Sequence, residues 1–175
     1  SYNHPDYFIA TLISRLFDDG VTSRLQKILR EEKGLVYSVE CRATSLPDTG
    51  TIDFDVSVRS EKVVEVAGIL LDEIKKFIST GVGEGELELV KQRYGYELDY
   101  ELDDPYRQII RHGFCHLYST EYSVEKEREK ISQITPLDIL RVARGIFVSE
   151  KLNFVLVGPY TSELKTSLLQ LVHDF

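Results

Sequence analysis

The spacing of apolar residues changes along this chain, and that change limits what the chain can fold into. Between Tyr7 and Leu29 the apolar residues recur with the spacing of an α-helix, and they do so again from Val63 onward. Between Tyr37 and Val58 they alternate with polar residues, which is the period of a β-strand with one buried face. This order predicts an α+β fold in which helices pack on one face of an antiparallel sheet.

Three segments are predicted to form the strands of that sheet. The buried faces of the first two are assigned to Tyr37, Val39, Cys41 and Ala43, and to Ile52, Phe54, Val56 and Val58. Turn-forming residues at 45–50 join these two segments and predict a hairpin. The run 154–157, Phe-Val-Leu-Val, predicts a third strand buried on both faces and ended by Gly158 and Pro159. We therefore expect at least three strands.

Several predicted helix ends carry residues suited to capping. Ser23 and Gln26 have the spacing of a capping box, and Gly34 is placed where a left-handed residue would end the same helix. Further helix starts are predicted at Ser60, Asp104-Pro105 and Thr135-Pro136. These signals divide the chain into helical segments without a linker, so residues 1–175 are predicted to form a single domain.

Composition excludes several classes of partner. The net charge of −8 and the pI near 5.1 argue against nucleic acid and anionic membrane surfaces, which bind clustered cations. Cys41 and Cys115 are too few for a disulfide framework and are interpreted as buried thiols in a reducing compartment, most simply the cytoplasm. No apolar run approaches the ~20 residues that span a bilayer. The chain has no methionine, so we expect it to be a fragment of a longer protein.

The segment 19–39, DGVTSRLQKILREEKGLVYSV, resembles the C-terminal half of the insulinase/pitrilysin zinc peptidases, a family that includes mitochondrial processing peptidase. The matching runs are Ser23-Arg24-Leu25, Leu29-Arg30-Glu31 and Gly34-Leu35-Val36-Tyr37-Ser38. Looser agreement continues at 134–138, 142–143 and 154–158, so the resemblance covers nearly the whole chain. It implies a metallopeptidase half-domain fold whose first strand would precede Ser1.

The resemblance also implies what this half does. Such peptidases are built from two related halves, and the N-terminal half carries zinc in an H-x-x-E-H motif. No such motif occurs among His4, His112, His116 and His173, so this chain is identified with the half that binds no metal and needs no cofactor of its own. The implied partners are a zinc-bearing N-terminal half or subunit and a peptide substrate. An interface left uncovered on the hairpin side would also allow weak homo-oligomers.

Arg30 and Tyr37 are the candidate catalytic residues that the resemblance implies. A tyrosine O–H can donate to the oxyanion of peptide hydrolysis, and a guanidinium fork can hold substrate carbonyls. By resemblance both reach toward the zinc site of the partner half. Each also has a structural interpretation, because arginine suits the last turn of a helix and tyrosine suits a strand.

Two other patterns have competing interpretations. His112 and His116 are one helical turn apart beside Cys115, a spacing that can bind zinc, but the pattern equally fits a helix that packs through Phe114 and Leu117. The acidic residues between Glu84 and Glu101 are read as a solvated helix face or as an attractor of basic peptides.

Two functions remain open from the sequence. One is the substrate-binding half of a zinc-dependent peptidase, and the other is a catalytically inactive scaffold domain of the same fold, as in the core subunits of respiratory complexes. The presence of both Arg30 and Tyr37 favours the peptidase, because a scaffold needs neither.

Overall fold

A computed structural model describes residues 1–120 and 123–175 of the chain. Its α-helices are α1 (Tyr7–Phe17), α2 (Val63–Thr80), α3 (Glu84–Leu102), α4 (Pro105–Leu117), α5 (Val124–Gln133), α6 (Pro136–Ile146) and α7 (Ser162–His173). A π-helix covers Gln26–Glu32, and two strands, β1 (Val36–Ser45) and β2 (Gly50–Val58), form the sheet. The fold is α+β and rich in helix, as the apolar spacing predicts.

The predicted hairpin is confirmed. β1 and β2 pair antiparallel, with Cys41 opposite Phe54 and Arg42 opposite Asp53. Val39 and Cys41 are buried toward the helices, whereas Arg42 and Asp53 are exposed on the opposite face. The alternation in sequence thus becomes one apolar face against helices and one polar face in solvent.

Four phenylalanine rings form the centre of the core. Phe17 of α1 lies with its ring centroid 5.3 Å from Phe54 of β2, 4.9 Å from Phe77 of α2 and 5.9 Å from Phe147 after α6. Phe17 and Phe77 are fully buried. Because each ring comes from a different part of the chain, this contact holds the hairpin, α1, α2 and α6 together.

Two of the predicted helix caps are confirmed and two are wrong. Asp104 accepts hydrogen bonds from the N–H groups of Tyr106 and Arg107, and Thr135 forms a full capping box with Asp138. The caps predicted at Ser23 and Ser60 are wrong: the Ser23 hydroxyl donates to the Gly20 carbonyl at 2.6 Å, and Ser60 begins a short 3₁₀ turn that precedes α2 and has no side-chain cap.

One helix was absent from the sequence prediction. α5 is capped by Ser123, whose hydroxyl accepts from the Lys126 N–H, yet its only buried apolar residues are Val124 and Ile131. A helix made largely of charged residues carries too little apolar periodicity to be detected by that signal.

The expectation of a third strand is wrong for the described residues, whose sheet has two strands. Residues 154–157 form no strand, and Val155 and Val157 are 82% and 92% exposed. Leu156 packs against the small apolar cluster of Val63, Ala67 and Leu168. A strand requires a hydrogen-bonded neighbour as well as apolar residues, and β1 is the only described strand paired with β2.

No helix among residues 1–120 and 123–175 is long and apolar enough to cross a membrane. Both cysteines are free: Cys41 is buried, and Cys115 is half-buried rather than fully buried as expected. Burial raises the pKa of the Cys41 thiol, with Asp18 and Asp53 adding to the effect, so this thiol stays protonated at neutral pH.

Candidate functional site

Arg30 lies in the π-helix, a rare backbone form that often occurs at functional sites. The side chain of Gln26 anchors the start of this helix by donating to Asp18 at 3.0 Å and to the Val39 carbonyl of β1 at 2.9 Å. Leu29 is fully buried and faces the core, while the next residue, Arg30, is exposed. The π-helix is therefore pinned to the strand, and its buried side leaves the guanidinium of Arg30 in solvent.

Gly34 makes the turn between the π-helix and β1. Its φ of 57° lies in the left-handed region, as the sequence predicts, and no atom lies within 4 Å of the position a Cβ would take. The N–H of Gly34 bonds to the Arg30 carbonyl at 3.1 Å, and the N–H of Leu35 bonds to the Leu29 carbonyl at 2.9 Å. These bonds satisfy carbonyls at the helix end and fix the direction in which β1 leaves.

A β-bulge decides where Tyr37 points. Val36 pairs with Val58 and Ser38 with Ser57, so Tyr37 is the extra residue of β1. Val36 and Val39 are both buried, and Tyr37 is 89% exposed. The alternation had placed Tyr37 on the buried face, and that assignment is wrong because the bulge shifts the register by one residue and turns the ring outward.

The polar groups of the two candidates are unengaged within the described residues. Arg30 forms no ion pair there, and neither its guanidinium nor the Tyr37 hydroxyl has a hydrogen-bond partner. The strand interpretation of Tyr37 therefore loses support, because Tyr37 contributes little buried area. Arg30 does lie in the last turn of its helix, as its structural interpretation requires. The structure places both side chains in solvent on either side of the Gly34 turn.

Arg24, in the same matched segment, has the opposite environment. Its guanidinium forms a bidentate pair with Glu86 at 2.7 and 2.8 Å, reaches Glu73 at 3.1 Å and lies 4.9 Å from the centroid of the Phe77 ring. Burial opposes the charged form, but the Glu86 and Glu73 carboxylates outweigh it and raise the pKa of Arg24. Arg24 therefore joins the start of this segment to α2 and α3, a structural role that the sequence did not reveal.

The acidic residues of α3 also take part in structure. Their partners are Arg24 for Glu86, Lys91 for Glu88, Arg15 for Glu97, Arg128 for Asp99, and Arg107 and Arg111 for Glu101. Most of these pairs connect α3 to another segment. These carboxylates are therefore neither a purely solvated face nor a free anionic surface, because arginines neutralise their charge locally.

Within the part of the chain that the structure describes, the histidine pair of α4 has no further ligands placed to complete a metal site. His112, His116 and Cys115 lie on α4, and both histidines are exposed. Across residues 1–120 and 123–175 there is no group of three or more His, Cys, Asp or Glu side chains placed to hold a metal ion. Catalytic zinc ordinarily needs three protein ligands, so the residues described here do not fit it.

A family model and individual relatives both relate this chain to zinc peptidases. The model of the peptidase M16 inactive domain family matches residues 1–94. An uncharacterized zinc protease of Mycobacterium tuberculosis is 27% identical over 145 residues, covering 82% of this chain and 33% of the relative. The chain thus spans about a third of the length of such relatives.

Solved structures share the fold. The peptidase M16 inactive domain from Pseudomonas fluorescens aligns with a TM-score of 0.74 at 20% identity, over 85% of this chain and 36% of that one. A chain of complex III2 from Candida albicans aligns with a TM-score of 0.72 at 19% identity, over 82% of this chain and 36% of that one. Likeness at these identities concerns architecture alone.

Proposed function

The chain belongs to the peptidase M16 inactive domain family, and from that premise we propose that it is the non-metal-binding half of a zinc-dependent peptidase. In this proposal it completes the active site of a zinc-bearing N-terminal half or partner subunit and binds the peptide substrate. Two observations support the assignment of zinc to the other half. Relatives are named zinc proteases, and the described residues contain no metal-binding cluster. Zinc belongs to the partner half.

The observation that carries the proposal is the placement of two exposed polar groups, unengaged within the described residues, on either side of one turn. The π-helix presents Arg30, the bulge presents Tyr37, and the left-handed Gly34 fixes the backbone between them. Irregular backbone retained around exposed polar side chains is typical of functional sites rather than of packing.

Each residue has a distinct role in peptide hydrolysis. Zinc bound in the partner half supplies an activated water. Tyr37 donates its O–H to the oxyanion that develops when the peptide carbonyl is attacked, and Arg30 donates to carbonyls of the bound peptide. Tyr37 thus stabilises the transition state, while Arg30 binds substrate and transition state alike.

The test uses the complete two-half protein. Tyr37→Phe should lower kcat about 100-fold with little change in KM, because one oxyanion donor is lost. Arg30→Ala should mainly raise KM, because uniform binding is lost. Tyr100→Phe and Arg59→Ala, which change exposed residues of the same types outside the turn, serve as matched controls.

Zinc content should equal that of the wild type in all four variants. Wild-type kinetics for both Tyr37→Phe and Arg30→Ala, in protein with an unchanged unfolding midpoint, would refute the catalytic roles.

The whole of residues 1–175 acts as one domain of a larger protein in this proposal. The exposed valines at 155 and 157 support an incomplete sheet, which a strand from the rest of that protein would extend. The family's larger members are consistent with this, since the chain covers only 33% of the relative from Mycobacterium tuberculosis.

A scaffold role is the second candidate, because a chain of complex III2 from Candida albicans has the same architecture. A scaffold would retain its assembly after Tyr37→Phe or Arg30→Ala and would have no zinc-dependent activity to lose. Finding the H-x-x-E-H motif in the rest of the protein or in its partner subunit would favour the peptidase.

A further inference from the structure

We propose that an open cavity between the start of α1 and helices α4 and α5 binds a small aromatic molecule that carries an anionic group. The cavity has a volume of about 830 Å³. Sites for small molecules generally enclose ~300–1,000 Å³ and are lined by aromatic side chains with a few polar groups. It lies apart from Arg30 and Tyr37, neither of which lines it.

One wall of the cavity is a stack of aromatic rings. Phe114 of α4 and Tyr118, the residue that follows α4, have ring planes 7° apart and centroids separated by 5.8 Å. Tyr2 stacks on Tyr118 at 4.6 Å with an interplanar angle of 20°, and Tyr7 lies 5.7 Å from Tyr2. These rings cover part of one another's faces, and a planar aromatic ligand can extend such a stack.

The carboxylate of Glu127, which lines the cavity, is already hydrogen-bonded within the protein. Glu127 is the one acidic residue among the described residues that line it. Its two oxygens accept hydrogen bonds from the Tyr94 hydroxyl and from Arg111, and Arg111 also binds Glu101. Burial opposes the charge of Arg111, but Glu127 and Glu101 outweigh it and raise the pKa of Arg111. This closed network does not attract a cationic ligand.

The rim of the cavity carries a lysine that forms no ion pair with a described residue. Lys126 and Lys130 both line it, and the Lys130 ammonium lies 5.6 Å from the centroid of the Phe8 ring. Lys130 forms no ion pair with a described residue. Because Glu127 is already bonded to Tyr94 and Arg111, the ammonium of Lys130 is the charge that favours an anionic group on the ligand.

The experiment titrates the complete protein that contains residues 1–175 with two related dyes. Anilinonaphthalene sulfonate is planar, aromatic and anionic, and phenylnaphthylamine has a similar ring system without charge. We expect saturable binding of the anionic dye at one site. Competition by N-acetyltyrosine, which has a free carboxylate, should exceed competition by N-acetyltyrosinamide, which has none.

Three variants locate the binding. Tyr118→Ala should weaken both dyes about tenfold by removing a stacking ring. Lys130→Glu should weaken the anionic dye about fivefold and leave the uncharged dye unchanged. Ile109→Ser is the matched control, because Ile109 is an exposed apolar residue of α4 outside the cavity and its loss should change neither dye.

Either of two results overturns the proposal. Unchanged binding of the anionic dye to Lys130→Glu would show that the rim charge plays no part. Equal weakening by Ile109→Ser and Tyr118→Ala would show that the dyes bind the exposed side of α4. Lys130 is exposed, so Lys130→Glu keeps the test decisive even where Tyr118→Ala unfolds the protein.

Discussion

Arg24 and Arg30 belong to the same short segment and have opposite surroundings. Arg24 is held by Glu86 and Glu73 and covers the Phe77 ring, whereas Arg30 is exposed and makes no ion pair among the described residues. One arginine therefore joins three segments of the fold, and the other is available to a partner or substrate. A motif shared with a family can combine residues that build the domain with residues that the domain leaves exposed.

The Arg24→Ala variant should produce the largest effect, a loss of about 3 kcal/mol in the free energy of unfolding. The reason is Glu73, which is 8% exposed and would keep a buried charge without its main partner. Urea denaturation measures this loss. Arg30→Ala is the matched control and should change the free energy of unfolding by less than about 0.5 kcal/mol.

A double variant sharpens the result. Glu73→Gln removes the orphaned charge, so Arg24→Ala should cost less in that background than in the wild type. Equal costs for Arg24→Ala and Arg30→Ala would contradict the structural role assigned to Arg24.

The next prediction separates the two kinds of residue within β1. Val39 is fully buried and Tyr37 is 89% exposed. Val39→Ala should lower the free energy of unfolding by about 2 kcal/mol through lost burial and a residual cavity, whereas Tyr37→Ala should change it by less than about 0.5 kcal/mol. Chemical denaturation of both variants tests this, and a larger loss for Tyr37→Ala would mean that the bulge does not turn its ring into solvent.

The smallest effect should come from the turn itself. Gly34→Ala should lower the free energy of unfolding by about 1 kcal/mol, because alanine is strained at a φ of 57°. Gly113→Ala is the control with the opposite sign: Gly113 lies inside α4 with open space at its Cβ position, so alanine should stabilise the helix by roughly 0.5–1 kcal/mol.

Thermal or urea midpoints distinguish the two glycine variants. If the chain is the peptidase half proposed above, Gly34→Ala in the complete protein should also reduce activity more than its stability loss explains, because it alters the backbone between Arg30 and Tyr37. A stabilising Gly34→Ala would show that the left-handed turn is not required.

Local signals predicted the parts of the fold that depend on local physics. The Asp104 cap, the Thr135 capping box and the left-handed Gly34 each follow from a few neighbouring residues. The prediction failed at 154–157 because a strand depends on a neighbour elsewhere in the chain. The apolar spacing also failed to predict α5, because most residues of this helix are charged and only a narrow side of it is buried.

The candidate site was predictable only in part. Arg30 and Tyr37 were named by resemblance, and their spacing around Gly34 suggested a shared turn. The π-helix and the bulge were not predicted, since both arise from the fit of Gln26, Leu29 and Val39 to other segments. The aromatic wall of the cavity left no local signal, because Tyr2 and Tyr118 lie at distant positions in the chain.

The sequence by itself determined the class of the fold, the hairpin, most helix starts and the membership in a family, because periodicity, caps and motifs are properties of short segments. Tertiary structure decided which arginine is held by carboxylates within the fold, which way Tyr37 points and where an open cavity remains. Those outcomes depend on long-range contacts: the carboxylates of α2 and α3 around Arg24, and the one-residue register shift between β1 and β2.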